Sequence, residues 1–301
     1  MKDIITVSVV TFHPKWGDKE SNLNRLMGYI ECAAKKGSDL VVLPEMALTG
    51  YDDEAGKPRS EKMQSLLSET IPGPSTEKVA ALTKKLGVYA VMGMPVKDDK
   101  DPSIVYNGLA VFSPDGLAGS YHKIHLPPPE PNWATRGDSP CILETPWGPI
   151  GFAICYDNYS FPELMRYYVS KGCRLCVNST ALAHCHGPYY GSATLEAAVV
   201  QNGVFIASAN LGGLDVDNYF WGGSSILGPG QKHTWSYYYY AGRRFDHEDA
   251  PEIEMFTATI DLSLATRYPF KYNPSVGGTD WRPDKYIELF KDTLANPNYG
   301  K

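Results

Sequence analysis

Two rhythms of apolar residues alternate along most of this chain: short apolar runs that fit strands, and stretches with a helical repeat between them. The opening ITVSVV segment predicts a first strand. From Ser21 to Gly37, the residues Leu23, Leu26, Met27, Ile30, Ala33 and Ala34 fall on one helical face, with Ser21 placed to cap the start and Gly37 to stop the end. The continuous run Leu40 to Leu43 then fits a strand covered on both faces, ended by Pro44. A helix over about Ser75 to Leu86 and a strand over Tyr89 to Met94 follow, and Asn107 to Ile124 reads as two strands about a Ser-Pro-Asp-Gly turn. Downstream come the strand Pro149 to Cys155, a helix begun by Pro162, the strand Arg174 to Ser179, a helix from about Tyr190 to Gln201 and the strand Val204 to Asn210. Two strands flanking Gly228 to Gln231 and a last strand, Glu254 to Leu262, complete the body.

No linker rich in Ser, Gly or Pro and no repeat divides this pattern, so residues 1–262 read as one mixed α/β domain. The tail, residues 263–301, carries many aromatics and prolines, with a short helix predicted near Asp284 to Phe290. Exposed apolar area invites association, so the tail is expected to dock on its own domain or on a neighbouring subunit, and a homodimer or larger homo-oligomer is expected.

Composition narrows the function classes. Of 301 residues, 43% are hydrophobic and 21% charged, as in ordinary globular chains. A net charge of -6 without long like-sign runs gives no footprint for a nucleic-acid backbone or an anionic membrane. No apolar stretch approaches the ~20 residues that cross a bilayer, and Asp3 stands where a signal peptide is basic. Six cysteines without a dense framework read as free thiols, and the expected location is the cytoplasm.

Chemistry concentrates where apolar strands break into polar residues: Glu45 after LVVLP, Lys123 in SYHKIHLPPPE, and Cys155 after GFAI. A cysteine kept for packing sits inside an apolar run, whereas Cys155 stands at its end, before Tyr156, Asp157 and Asn158. Loops at strand ends are where α/β sheets build sites. If the three converge, Glu45 is a general base, Lys123 an oxyanion stabiliser and Cys155 a nucleophile for acyl transfer. A helix starting near Phe161 and the Lys123 ammonium are expected to favour thiolate, lowering the thiol pKa below its free value of about 8.5. Segments 51–60, 130–137 and 181–190 are the expected pocket walls, and Tyr51, Trp133, Tyr156, His184 and the strand-end Asn178 are the candidate substrate contacts.

The stretches LPEMALTGY, YHKIHLPPPEPNW and GFAICYDNYSFPELMR together resemble the Glu, Lys and Cys motifs of the nitrilase superfamily of carbon-nitrogen hydrolases. Their spacing, 78 residues from Glu45 to Lys123 and 32 from there to Cys155, is also similar, and weaker echoes extend the resemblance over about residues 4–262. The resemblance implies a four-layer α-β-β-α sandwich, an oligomer, and the roles just given to Glu45, Lys123 and Cys155. It also implies a second glutamate after the lysine, for which Glu130 is the candidate, positioning substrate or shuttling protons. Two departures stand out. The segment CYDNYSFPE is one residue longer than the CYDxxFPE of amidase-like members, and the family's Arg-Ala-x-Glu-Asn helix end appears as Ala198 to Asn202.

Other stretches read as structure. Cys173 and Cys176 lie three apart in a strand and point to opposite faces, so they fit sheet core better than a metal grip. The run Tyr237 to Tyr240 fits a half-buried strand, and GGSSILGPG is a turn without the Lys and Ser/Thr of a phosphate loop. The expected function is therefore hydrolysis of a small linear amide or carbamoyl compound through a cysteine acyl-enzyme, needing no metal or organic cofactor, with the Tyr156 backbone amide sharing the oxyanion. A nitrilase is the alternative, since the seven-residue spacing to Glu130 leans that way, and an idle binding or assembly subunit is the third reading.

Overall fold

The computed structural model describes residues 1–187, 189–231, 235–241 and 252–300. Residue 188, within the expected 181–190 wall, lies outside them. The described chain forms two units, Met1–Thr266 and Arg267–Lys301.

In the first unit, the strands β1 (Ile4–Thr11) and β2 (Leu40–Val42) are joined by helix α1 (Lys19–Lys35). This helix buries Leu23, Leu26, Ile30 and Ala33 as its spacing requires. Its cap is Asp18 rather than Ser21: the helix begins at Lys19, so the Ser21 amide is itself the donor that the Asp18 carboxylate receives at 3.2 Å. Two helices follow, α2 (Met63–Leu67), a single short turn too brief to show a period, and α3 (Pro74–Leu86). After them come β3 (Tyr89–Lys97), β4 (Val105–Ser113) and β5 (Gly116–His122). The second half runs β6 (Cys141–Leu143), β7 (Ile150–Ile154), α4 (Tyr156–Tyr159), α5 (Pro162–Ser170), β8 (Leu175–Thr180), α6 (Tyr190–Asn202) and β9 (Phe205–Asn210). The hairpin β10 (Gly212–Leu214) and β11 (Tyr219–Trp221), then β12 (Ser225–Gly228), β13 (Tyr237–Ala241) and β14 (Glu254–Asp261), end the unit.

These strands make two six-stranded mixed sheets, ordered β14-β1-β2-β3-β4-β5 and β13-β12-β9-β8-β7-β6. The parallel centres, β1-β2-β3 and β7-β8-β9, are buried on both faces, which is why they read as continuous apolar runs. The sheets meet through β1 and β9, while α1 and α3 cover one outer face and α5 and α6 the other. The result is the four-layer α-β-β-α sandwich.

The second unit holds the short hairpin β15 (Tyr272–Asn273) and β16 (Gly278–Thr279) and the helix α7 (Pro283–Ala295), longer than the predicted Asp284–Phe290 segment. None of the α7 residues is buried, and Ile287, Leu289, Phe290 and Leu294 are each more than half exposed.

Candidate active site

Glu45 stands in the turn after β2, held by β3. The Gly93 N–H donates to the Pro44 carbonyl and the Leu48 N–H donates to the Gly93 carbonyl, both at 3.2 Å. A Cβ on residue 93 would lie 2.3 Å from the Pro44 carbonyl oxygen and 2.6 Å from Glu45 Cα, so only glycine lets the turn sit this close. Lys123 leaves the end of β5 with its N–H on the Asn107 carbonyl and its own carbonyl taking the Gly137 N–H, each at 2.8 Å. Glu130 opens a single 3-10 turn, Glu130–Asn132.

The three side chains, all with no exposed surface, meet. Lys123 Nζ donates to Glu45 Oε1 at 2.7 Å and to Glu130 Oε1 at 2.5 Å. Asn107 Nδ2 donates to Glu45 Oε1 at 2.7 Å, and the Tyr51 hydroxyl donates to Glu130 Oε1 at 2.6 Å. The second oxygens, Glu45 Oε2 and Glu130 Oε2, are buried without a protein partner. Burial alone would push the Lys123 amine toward its neutral form, but Glu130, Glu45 and Cys155 hold its pKa above the ordinary value, so it remains an ammonium. Burial pushes Glu130 up to about 7; Lys123 pulls it down, and Glu45 adds to the rise.

Cys155 directly follows β7 in an unusual backbone conformation, φ 45° and ψ -102°. Its N–H is shared between the Ser179 carbonyl and Asn178 Oδ1, each at 3.0 Å, which locks the turn against β8. Such a position costs about 1–3 kcal/mol and persists because its surroundings over-determine it. The thiol interacts electrostatically with Glu45 and Lys123, and the Thr180 hydroxyl and Ala181 amide bear on it.

The expected thiolate is corrected here. Burial pushes the Cys155 thiol up, Glu45 pushes it further, and Lys123 offsets only part of the rise. The helix at Pro162 is also not the element beside the sulfur, because the separate turn α4 stands between them. At rest Cys155 is a thiol.

Of the candidate contacts, Tyr51 joins the cluster through Glu130, and Asn178 is fully buried under Cys155, with its Nδ2 on Ser208 Oγ at 3.0 Å. Tyr156, half-buried, has its ring edge-on to Phe161 at 5.1 Å, and as first residue of α4 its N–H has no intrahelical acceptor. Trp133 packs with Met46, Val105, Leu126 and Ala134 in a small core against Tyr51. His184 is not in the charged cluster; it is exposed and stacked on Trp221 at 3.3 Å.

Sequence reasoning missed Asn107, whose only signal was a polar residue inside an apolar strand. Among the described residues no group of three or more His, Cys, Asp or Glu could hold a metal ion, and Cys173 and Cys176 are buried in the sheet core. No helix of the described residues is long and apolar enough to cross a membrane.

A carbon-nitrogen hydrolase family model matches residues 6–269. The omega-amidase NIT2 of Xenopus tropicalis is 34% identical over 222 residues, covering 70% of this chain and 76% of that protein. The human omega-amidase NIT2 is 32% identical over the same length and shares. A protein of Schizosaccharomyces pombe named as a probable nitrilase is 28% identical over 286 residues, 94% of this chain and 97% of its own. The crystal structure of an amidase from Nesterenkonia sp. superposes with a TM-score of 0.74 at 19% identity, covering 96% of this chain and 97% of that one, a likeness of fold.

Proposed function

The chain belongs to the carbon-nitrogen hydrolase family, and on that premise we propose that it hydrolyses small linear amides or carbamoyl compounds through a Cys155 acyl-enzyme. The observation that carries this reading is the Lys123 ammonium bridging two buried carboxylates beside a thiol. Because burial keeps the proton on sulfur, attack needs a base at hand, and Glu45 is that base, with Oε2 unengaged. Sulfur adds to the amide carbon as its proton passes to Glu45. Lys123 Nζ and the Tyr156 N–H stabilise the oxyanion. Glu45 then gives the proton to the departing nitrogen, the C–N bond breaks, and ammonia or a small amine leaves a thioester. Water, deprotonated by Glu45, attacks that thioester and releases the acid, while the sulfur regains a proton. Glu130 holds Lys123 from the other side and, through Oε2, positions the substrate nitrogen. No metal or organic cofactor enters these steps.

The omega-amidase relatives support amides over nitriles. We also place the protein in the cytoplasm, supported by the lack of any disulfide among the described cysteines, and assign it a homo-oligomeric state, in which a second copy covers the exposed apolar side chains of α7. Ammonia release should be followed on matched two- to six-carbon linear amides and nitriles. Amide turnover that disappears in Cys155→Ala, with an acyl adduct on rapidly quenched wild-type protein by intact mass that is absent from Cys155→Ala, is the expected result. Hydrolysis of nitriles alone would overturn it.

A further inference from the structure

Two residues beyond the proposed nucleophile, Asp157 is fully buried and takes three hydrogen bonds. The Tyr121 hydroxyl donates to Oδ2 at 2.7 Å, and both the His125 main-chain N–H, at 2.9 Å, and the His125 ring Nδ1, at 2.8 Å, meet Oδ1. Tyr121 precedes Lys123 by two residues and His125 follows it by two. One carboxylate on the turn of Cys155 therefore grips the chain on both sides of Lys123.

Cys155 directly follows a strand of one sheet and Lys123 follows the edge strand of the other, so their separation has to be set by something that crosses between the sheets. We propose that Asp157 is that positioning residue: it fixes the distance between the attacking sulfur and the ammonium that receives the oxyanion. The inference rests on the roles given above to Cys155 and Lys123.

Three features fit positioning rather than packing alone. A carboxylate facing the His125 ring makes Nδ1 the donor, so the imidazole has one defined orientation. That ring lies flat on Phe161 at 3.5 Å, and Phe161 meets the Tyr156 ring edge-on at 5.1 Å, so the tie continues to the residue whose amide is assigned above to the oxyanion. Burial and Asp157 push the Tyr121 phenol far above its ordinary range, so it stays a donor to the carboxylate.

The test uses kcat and KM on the best amide of the panel, with the thermal midpoint recorded beside them. Asp157→Ala should lower kcat about 100-fold with KM within threefold, because misplacement by about an ångström costs this much. Asp157→Asn should restore kcat to within about tenfold of wild type, since its Oδ1 still receives His125 and its amide can meet the Tyr121 oxygen. Tyr121→Phe, which removes one oxygen atom and keeps the fold if Asp157→Ala does not, should lower kcat five- to tenfold at unchanged KM. A kcat within twofold of wild type in Tyr121→Phe, a loss expressed in KM, or an Asn variant no better than Ala would overturn the assignment. Absence of amide turnover in the wild-type protein would instead overturn the hydrolase reading on which it stands.

Discussion

Two groups of carboxylates in this molecule are held by different kinds of donor. Asp52, 1% exposed, accepts the N–H groups of Val216, Asp217 and Asn218 on Oδ2 at 2.8, 2.6 and 2.9 Å, and the Asn218 side-chain amide on Oδ1. Asp215 answers by accepting the Tyr51 and Asp52 N–H groups at 2.6 and 3.1 Å, so the loops at 50–52 and 214–218 are laced together. Glu45 and Glu130 are as deeply buried, yet each directs all its contacts to one oxygen and leaves the other open. Leaving such an acceptor unpaired costs about 1–3 kcal/mol or more for a charged group. Asp215 likewise uses Oδ2 alone and leaves Oδ1 unpartnered, so the difference lies in the donors: Asp52 and Asp215 are held mainly by backbone N–H groups, Glu45 and Glu130 only by side chains. Tyr51 stands at the seam, its N–H in the first group and its hydroxyl in the second.

The contrast is broken most severely by neutralising the open group. Glu45→Gln should lower kcat by about 10³-fold or more, within the range general bases contribute, while the thermal midpoint stays level or rises because a buried charge is gone. Steady-state kinetics paired with calorimetry checks this, and a fall in stability comparable to the loss of rate would erase the distinction. Asp52→Ala should show the reverse. Four donors lose their acceptor, so stability should drop by about 3 kcal/mol in urea titrations, with kcat reduced less than tenfold.

The smallest effect is a pH dependence. Glu130, pushed up to about 7 from an ordinary 4.5 by burial, binds more proton in the folded than in the unfolded chain between those values. Its stabilising contribution is therefore complete below about 4.5 and is lost as pH rises through 7. Asp215, pushed up to about 6 by burial, acts with the same sign. The difference in thermal midpoint between wild type and Glu130→Gln should shift against the wild type from pH 4.5 to 7.5, and a flat difference would contradict the placement of Glu130.

What could be read from the sequence follows from what is local. The buried strands announced themselves as apolar runs, and Glu45, Lys123 and Cys155 stood out because each interrupts the polarity pattern at a strand end. Glu130 came only through family resemblance, since a glutamate in a proline-rich loop has no local mark. The charge state of Cys155 was misjudged because a helix start and an ammonium are visible in one dimension, whereas desolvation is set by everything packed around the sulfur. Asn107 and Asp157 escaped for a related reason: their partners lie 62 residues away at Glu45 and 32 to 36 away at His125 and Tyr121. His184 looked like a pocket residue by proximity to a strand end, but its loop carries it outward onto Trp221.

The split of the reacting groups between two sheets also bears on how the protein is made. Glu45 and Lys123 are translated first, on one half of the sandwich, and Cys155 opens the other, so a chain still emerging from the ribosome carries no assembled charge relay. On the proposed reading, the sulfur meets its base only when the halves close on each other. Until then the cysteine has neither the carboxylate nor the ammonium beside it.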